Sequence, residues 1–276
     1  MAKKKYTLSE LQITKRLNEG RGSGAGSSYT PWHYVHEVPS AGRSQRVYSH
    51  LTKRVHHLLS DLEYTVFLML DANPITTDIR EQFPLLREDT LAIARNNGIR
   101  HPKDGSVNKV MSSDFLVSTK DKNQSLFAIQ VKYKNAYEDA RTTEKLEIEK
   151  RYWASKNIPW FIVTEQEINK VVKENVDWLY GVKGWHDESV DVGLIDTFNA
   201  MQIYFAENPS SSAISLCQRF DAAYQLELGQ SLLDVRRMCA ARLIDFDLYK
   251  PFRALKASEM RFVESNEVSE VIHVAS

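Results

Sequence analysis

The chain has 276 residues, enough for two domains at roughly 100–200 residues each and for a core that needs no staples. Hydrophobic residues make up 42% and charged residues 26%, a globular balance that excludes a disordered chain, a collagen and a coiled-coil rod. The formal net charge is zero, with 36 Lys and Arg against 36 Asp and Glu, but residues 1–60 hold ten bases and three acids, ten minus three giving +7 there and −7 elsewhere. Such a segment can release counterions from a phosphate backbone; a solvated basic face without a partner gives the same count. Five of the eight histidines also lie in it: His33, His36, His50, His56 and His57. No apolar run approaches ~18 residues, so no membrane span is expected. The basic start is not followed by an apolar stretch, so no secretion signal is expected. Two cysteines, Cys217 and Cys239, are too few for a disulfide framework or a Cys-rich zinc site, and a reducing cytoplasm is the expected compartment.

In chain order, Leu8, Leu11 and Leu17 predict a short amphipathic helix over residues 6–18. Four glycines and three serines within residues 19–28 predict a flexible loop, read either as a mobile basic loop touching DNA or as a phosphate cradle, although no strand precedes it. A helix over 62–70 is opened by Ser60 and Glu63 in capping-box spacing. An extended run over 77–85 and a short helix over 89–97, stopped by Gly98, come next. Residues 110–119 and 125–133 read as two strands around the turn Asp121-Lys122-Asn123. A charged helix over 142–156, a buried strand over 158–164 and a helix over 167–180 complete an α/β pattern. Beyond Gly181 lies a connector with one helix, then helices over 212–226 and 231–243 around Leu228-Gly229-Gln230, and a strand over 244–248. That outline fits a winged helix-turn-helix carrying Arg236, Arg237 and Arg242, and equally an ordinary helical hairpin with a strand.

The chemistry concentrates on the two middle strands. Along residues 125–133 one face presents Phe127, Ile129, Val131 and Tyr133, the other Leu126, Ala128, Gln130 and Lys132. The second face turns polar at its end, which points to a site there. Asp114 sits among apolar strand residues, where an unpaired carboxylate costs several kcal/mol, roughly 2–7 for a polar group. Pairing the strands as a hairpin can bring Asp114 near Gln130 and Lys132. Phosphodiester cleavage needs such groups: Asp114 and Glu63 as carboxylate ligands for Mg²⁺, the Gln130 amide oxygen and Val131 carbonyl as neutral ones, and Lys132 to steady phosphate charge. Glu63 as a plain cap and Lys132 as a strand-end lysine are the competing readings.

These residues stand in blocks that resemble the TnsA family, endonuclease subunits of heteromeric cut-and-paste transposases. The blocks are Gly20-Arg21-Gly22-Ser23-Gly24, Arg54-Val55-His56-His57-Leu58-Leu59-Ser60-Asp61-Leu62-Glu63, Asp78-Ile79-Arg80-Glu81-Gln82-Phe83-Pro84-Leu85, Met111-Ser112-Ser113-Asp114-Phe115-Leu116-Val117 and Ala128-Ile129-Gln130-Val131-Lys132. The resemblance continues through Arg151-Tyr152-Trp153, Ile158-Pro159-Trp160-Phe161 and Val172-Lys173-Glu174-Asn175.

The resemblance implies an α/β, restriction-endonuclease-like domain over 1–168 and a mainly helical, winged-helix-like domain over 169–276. It implies Glu63, Asp114, Gln130 and Lys132 as catalytic residues. The chemistry of these residues gives Glu63, Asp114, Gln130 and Val131 as the expected ligands of Mg²⁺, with two ions per site. Gln130 stands where the wider nuclease superfamily has Asp or Glu. Implied partners are double-stranded DNA at transposon ends, a recombinase of the DDE type that cuts the 3′ ends while this subunit cuts the 5′ ends, and an AAA+ ATPase regulator docking on the C-terminal domain. The basic segment supplies the expected DNA contacts Arg43, Arg46, Arg54, His56 and His57, the two histidines packing and touching phosphate rather than binding metal. A DNA-binding adaptor without catalysis, bridging recombinase and ATPase, is the alternative, as is a stand-alone restriction enzyme.

Overall fold

The structure, a computed structural model, describes residues 7–38, 43–49, 51–180 and 192–263. The chain divides into two compact units, one of residues 1–45 and 51–167, the other of residues 46–50 and 168–276. Helix α1 (Glu10–Asn18) opens the first, capped by Ser9, whose hydroxyl accepts from the Gln12 N–H while the Gln12 side chain accepts from the Ser9 N–H. The expected leucine face is not the buried one. Leu11 and Leu17 are 84% and 56% exposed, whereas Ile13 and Arg16 turn inward. The guanidinium of Arg16 explains this: it donates to the Trp32 carbonyl at 2.9 Å and lies 3.1 Å from Glu37, so a polar anchor replaces an apolar stripe.

The glycine-rich segment is a packed turn rather than the flexible loop its composition predicts. Arg21 forks onto both Glu37 carboxylate oxygens at 2.7 and 2.8 Å and stacks over Tyr34. Gly22 has φ 78, and a β-carbon there would meet the Pro84 ring at 2.0 Å, so only glycine fits. No phosphate cradle opening a helix forms here: the segment leads into a single 3₁₀ turn, Gly26–Ser28.

Strand β1 (Gln45–Ser49) crosses the boundary between the units. In the first unit follow β2 (Arg54–Leu58), α2 (Asp61–Asp71), β3 (Thr76–Pro84) and α3 (Arg87–Asn96). Then come a small hairpin of β4 (Lys103–Asp104) and β5 (Val107–Asn108), β6 (Ser112–Thr119), β7 (Leu126–Val131), α4 (Ala140–Ser155) and β8 (Trp160–Val163). The main sheet has the order β3-β6-β7-β8, antiparallel except for the parallel β7–β8 pair. It is therefore mixed, with α4 as the crossover between β7 and β8. Helix α2 packs against β3 and β7. Leu116 and Ala128 of the sheet join Leu85, Ile148, Tyr152 and Trp153 in one buried cluster. The expected strand over 158–164 forms, but at the sheet edge rather than buried, and Phe161 is 45% exposed. A short apolar run alone does not tell an edge from a centre.

The second unit holds α5 (Lys170–Tyr180), α6 (Val192–Glu207), α7 (Ala213–Ala223), α8 (Gln230–Ala240), β9 (Ile244–Asp245) and β10 (Arg261–Phe262). The α7–α8 turn depends on Gly229 at φ 90, and the Asp221 carboxylate accepts the N–H groups of Gly229 and Ser231 across it. β9 pairs antiparallel with β10, so the alternating run after α8 yields two paired residues rather than five. The α8-side arginines are engaged within the unit: Arg236 donates to the Trp178 carbonyl, Arg237 lies 3.3 Å from Asp234 and Arg242 2.9 Å from Asp245. Cys217 and Cys239 are both buried and free. Among the described residues no helix is long and apolar enough to cross a membrane.

Candidate active site

Antiparallel pairing of β6 and β7 puts Phe115 opposite Ile129, which carries Asp114 and Gln130 to the same end of the hairpin. There the Asp114 N–H donates to Gln130 Oε1 at 3.2 Å and the Val131 N–H donates to Asp114 Oδ2 at 2.7 Å. Lys132 Nζ donates to the Val131 carbonyl at 2.8 Å and lies 3.4 Å from Asp114 Oδ2. Burial alone would lower the Lys132 ammonium, but Asp114 and then Glu63 outweigh it and raise it above its ordinary range. Lys132 is charged at neutral pH.

Glu63 arrives from the first turn of α2. Ser60 Oγ accepts the Glu63 N–H at 3.1 Å and donates to Glu63 Oε1 at 3.0 Å. The Leu59 N–H donates to Oε2 at 2.9 Å. The expected cap is thus present in altered form, with Leu59 rather than Ser60 supplying the backbone donor. The same carboxylate is 7% exposed and pushed up to about 8, first by burial and then by the negative charge of Asp114. One side chain both caps α2 and feels the charge of Asp114, so the cap does not exclude a place in the site.

Among the described residues no group of three or more His, Cys, Asp or Glu side chains is arranged to hold a metal ion. The donors present are two carboxylates, the Gln130 amide oxygen and the Val131 carbonyl. Mg²⁺ is held by one or two carboxylates and keeps several waters, so this oxygen set fits it. The repulsion that raises Glu63 is also what a divalent cation between the carboxylates relieves.

A family description, TnsA-like endonuclease N terminal, matches residues 73–165, and a second, TnsA endonuclease C terminal, matches residues 167–248. The chain is 49% identical over 276 residues to the Transposon Tn7 transposition protein TnsA of Escherichia coli, covering 100% of both chains. The chain belongs to the TnsA family. Asp114, Gln130 and Lys132 fall inside the N-terminal match of this TnsA-family chain; Glu63 precedes it, within the full-length similarity.

The expected DNA contacts divide. Arg43 and Arg46 are exposed. Arg54 is not: it is 8% exposed and forks onto Glu81 at 2.9 and 2.5 Å. His56 has no exposed surface, with Nδ1 2.8 Å from Glu81 Oε2 and Nε2 2.8 Å from the Thr52 hydroxyl. Arg54 and His56 therefore hold a buried carboxylate, a pairing that their expected phosphate contacts did not include. His57 is half-buried against Tyr34, its Nδ1 accepting the Val35 N–H at 3.4 Å.

Two site neighbours escape sequence reasoning. Gln82 of β3 is 3% exposed and its amide donates to Glu63 Oε2 at 3.2 Å. Glu149 of α4 is 3% exposed, its Oε1 accepting from Ser113 at 2.6 Å and from Trp160 at 2.9 Å. Burial pushes its carboxyl up to about 8 against those two donors. The signal for Glu149 was its place on the inward stripe of α4 with Leu146, Tyr152 and Trp153; Gln82 had none.

Proposed function

We propose that this chain is a Mg²⁺-dependent DNA endonuclease that cuts the 5′ ends of a transposon. It would work with a DDE-type recombinase that cuts the 3′ ends and with an AAA+ ATPase regulator. The observation that carries the reading is the convergence of Glu63, Asp114, Gln130 and Lys132 at one end of the β6–β7 hairpin, with an ammonium 3.4 Å from a carboxylate. Glu63, Asp114, the Gln130 amide oxygen and the Val131 carbonyl would hold the cation, two ions being accommodated by two carboxylates. When bound, the cation supplies Lewis-acid polarisation of the phosphate and a more acidic water. The chain's own work is positional. The Val131 N–H fixes one Asp114 oxygen and leaves Oδ1 outside these bonds. Lys132, anchored on the Val131 carbonyl, offers its remaining protons to a phosphate oxygen as charge builds there. Hydrolysis adds a water oxygen to phosphorus and releases one deoxyribose oxygen.

The restriction-endonuclease-like description of the first unit is supported by its mixed sheet with the acidic site at strand ends. A winged-helix-like second unit, serving DNA or the ATPase, is supported by the succession α7, Gly229, α8 and the β9–β10 pair. The bacterial cytoplasm is the compartment where such a reaction finds DNA. A non-catalytic adaptor would have no use for two buried carboxylates beside a lysine. The test is cleavage of transposon-end DNA by the full chain with its recombinase partner and Mg²⁺. Asp114→Ala and Lys132→Ala should each abolish 5′-end cuts while 3′-end cuts persist; intact 5′ cleavage in either would overturn the reading.

A further inference from the structure

A cleft of about 260 Å³ opens beside the candidate active site, within the first unit. Gln130 and Lys132 belong to both, and Lys109, Lys145, Leu146 and Glu149 are among the other residues that line the cleft. Lys145, Leu146 and Glu149 share it because residues three and four apart lie on one face of α4. The volume is below that of a site for a drug-sized ligand, and suits one phosphate with its sugar.

The charge in this cleft is unbalanced. Lys132 is turned to Asp114, and Lys109 lies 2.8 Å from Asp104. Lys145 is half-buried and makes no hydrogen bond or ion pair among the described residues. The nearby Arg141 adds a further positive charge, itself paired with Glu144. The acid lining the cleft, Glu149, has its Oε1 tied to Ser113 and Trp160 at the sheet. A half-buried ammonium without a direct ion-pair partner is costly. Burial and then the charge of Arg141 lower Lys145 below its ordinary range against the pull of Asp139, and Lys132 and Lys109 lower it further.

We propose that Lys145, assisted by Lys109, forms a subsite for a DNA backbone phosphate directly flanking the one that is cut. This rests on the endonuclease reading above, which puts the cut phosphate at Lys132, one wall of the same cleft. The flanking phosphate is delivered covalently, where a free anion would have to be captured. Such a contact fixes register on the strand without reading sequence.

The experiment is a charge-removal cycle with the full chain, its recombinase partner and Mg²⁺. End DNA carries a neutral methylphosphonate at one or the other phosphate flanking the 5′-end cut. For the wild type, one of the two substitutions should slow cleavage about tenfold, as loss of a charge-assisted contact does. Lys145→Gln should slow cleavage of unmodified DNA by a similar factor, and the methylphosphonate should then add less than twofold. Lys145→Arg should keep the wild-type sensitivity, which separates charge from folding. Full sensitivity persisting in Lys145→Gln, or wild-type rates in that variant, would overturn the subsite. Protection of the wild type alone by millimolar inorganic phosphate would assign the cleft to a free anion and overturn it too. If the wild type cuts no unmodified DNA, the endonuclease reading itself fails and the subsite falls with it.

Discussion

At φ 48 near the C-terminal end of β3, Gln82 occupies left-handed backbone space that a β-carbon disfavours by about 1–3 kcal/mol. It lies between the paired positions Glu81/Phe115 and Phe83/Ser113, so the strand bends beside Asp114. The distortion delivers the Gln82 amide to Glu63. Gln82→Gly would relieve the backbone and remove the amide, whereas Gln82→Ala would remove the amide alone. Both should slow 5′-end cleavage about tenfold, with the Gly variant unfolding at a higher temperature than the Ala variant. Wild-type rates for Gln82→Gly would show that the amide does not position Glu63. Glu63 itself makes a pH prediction. Its carboxyl, held at about 8 by burial and by Asp114, keeps a proton at neutral pH that a cation must displace. Cleavage at limiting Mg²⁺ should therefore rise with pH towards about 8, and the midpoint should move down as Mg²⁺ is raised. A midpoint that ignores Mg²⁺ would remove Glu63 from the ligand set. Asp114, Gln130 and Lys132 were legible because strand alternation puts polar groups on an otherwise apolar face. Gln82 was not, since nothing local in its sequence announces a positive φ.

Between elements, the buried ion cluster on Glu81 ties β2 to β3. Arg54 and His56 both face a carboxylate with no exposed surface. Arg54 also donates to the Ile79 carbonyl at 2.7 Å, and Tyr29 donates to the Glu81 carbonyl at 2.9 Å. Burial alone would raise the Glu81 carboxyl, but His56 and Arg54 hold it well below the usual carboxylate range. A depressed carboxylate contributes stability that is present above its unfolded value near 4.5 and is lost as pH falls through its folded one. Glu81→Gln leaves a guanidinium buried without its partner, a loss of about 3–5 kcal/mol. In thermal unfolding at pH 7 this corresponds to roughly 10 °C at 2–4 °C per kcal/mol. The gap from wild type should narrow as pH is lowered towards 3. An equal gap at both pH values would place the damage in packing rather than charge. The sequence shows Arg54, His56 and Glu81 only as charged strand residues. Their pairing spans 25 to 27 positions and depends on β2 and β3 lying side by side, so a local reading assigned the two bases to solvent and DNA. Helix positions fared better, because caps and 3.6-residue spacing are local: α3, α4 and α7 fall within a few residues of their expected spans. In α1 the same spacing misled, because a buried Arg16 took the place of the leucines.

Over the whole chain, the +7 on residues 1–60 is smaller in effect than in count. Arg16 and Arg21 converge on Glu37, Lys15 lies 3.8 Å from Glu19, and Arg54 is spent on Glu81. Charges neutralised inside the fold release no counterions from DNA; only those that meet phosphate enter the salt dependence. Arg43 and Arg46 are the exposed arginines of this segment, where a phosphate can reach them. Arg43→Gln and Arg46→Gln should each lower the slope of log affinity against log salt by about one on end DNA and on unrelated DNA alike. Neither should change the melting temperature by more than about 2 °C, as expected of an exposed residue. Arg54→Gln should do the opposite, lowering the melting temperature while the folded fraction keeps its wild-type slope. The two classes are separated by filter binding at several salt concentrations, run beside thermal unfolding of the same preparations. A reduced slope in folded Arg54→Gln would return that residue to the DNA surface. Unchanged slopes for both Arg43→Gln and Arg46→Gln would mean that the basic surplus of the N-terminal segment serves a partner other than DNA.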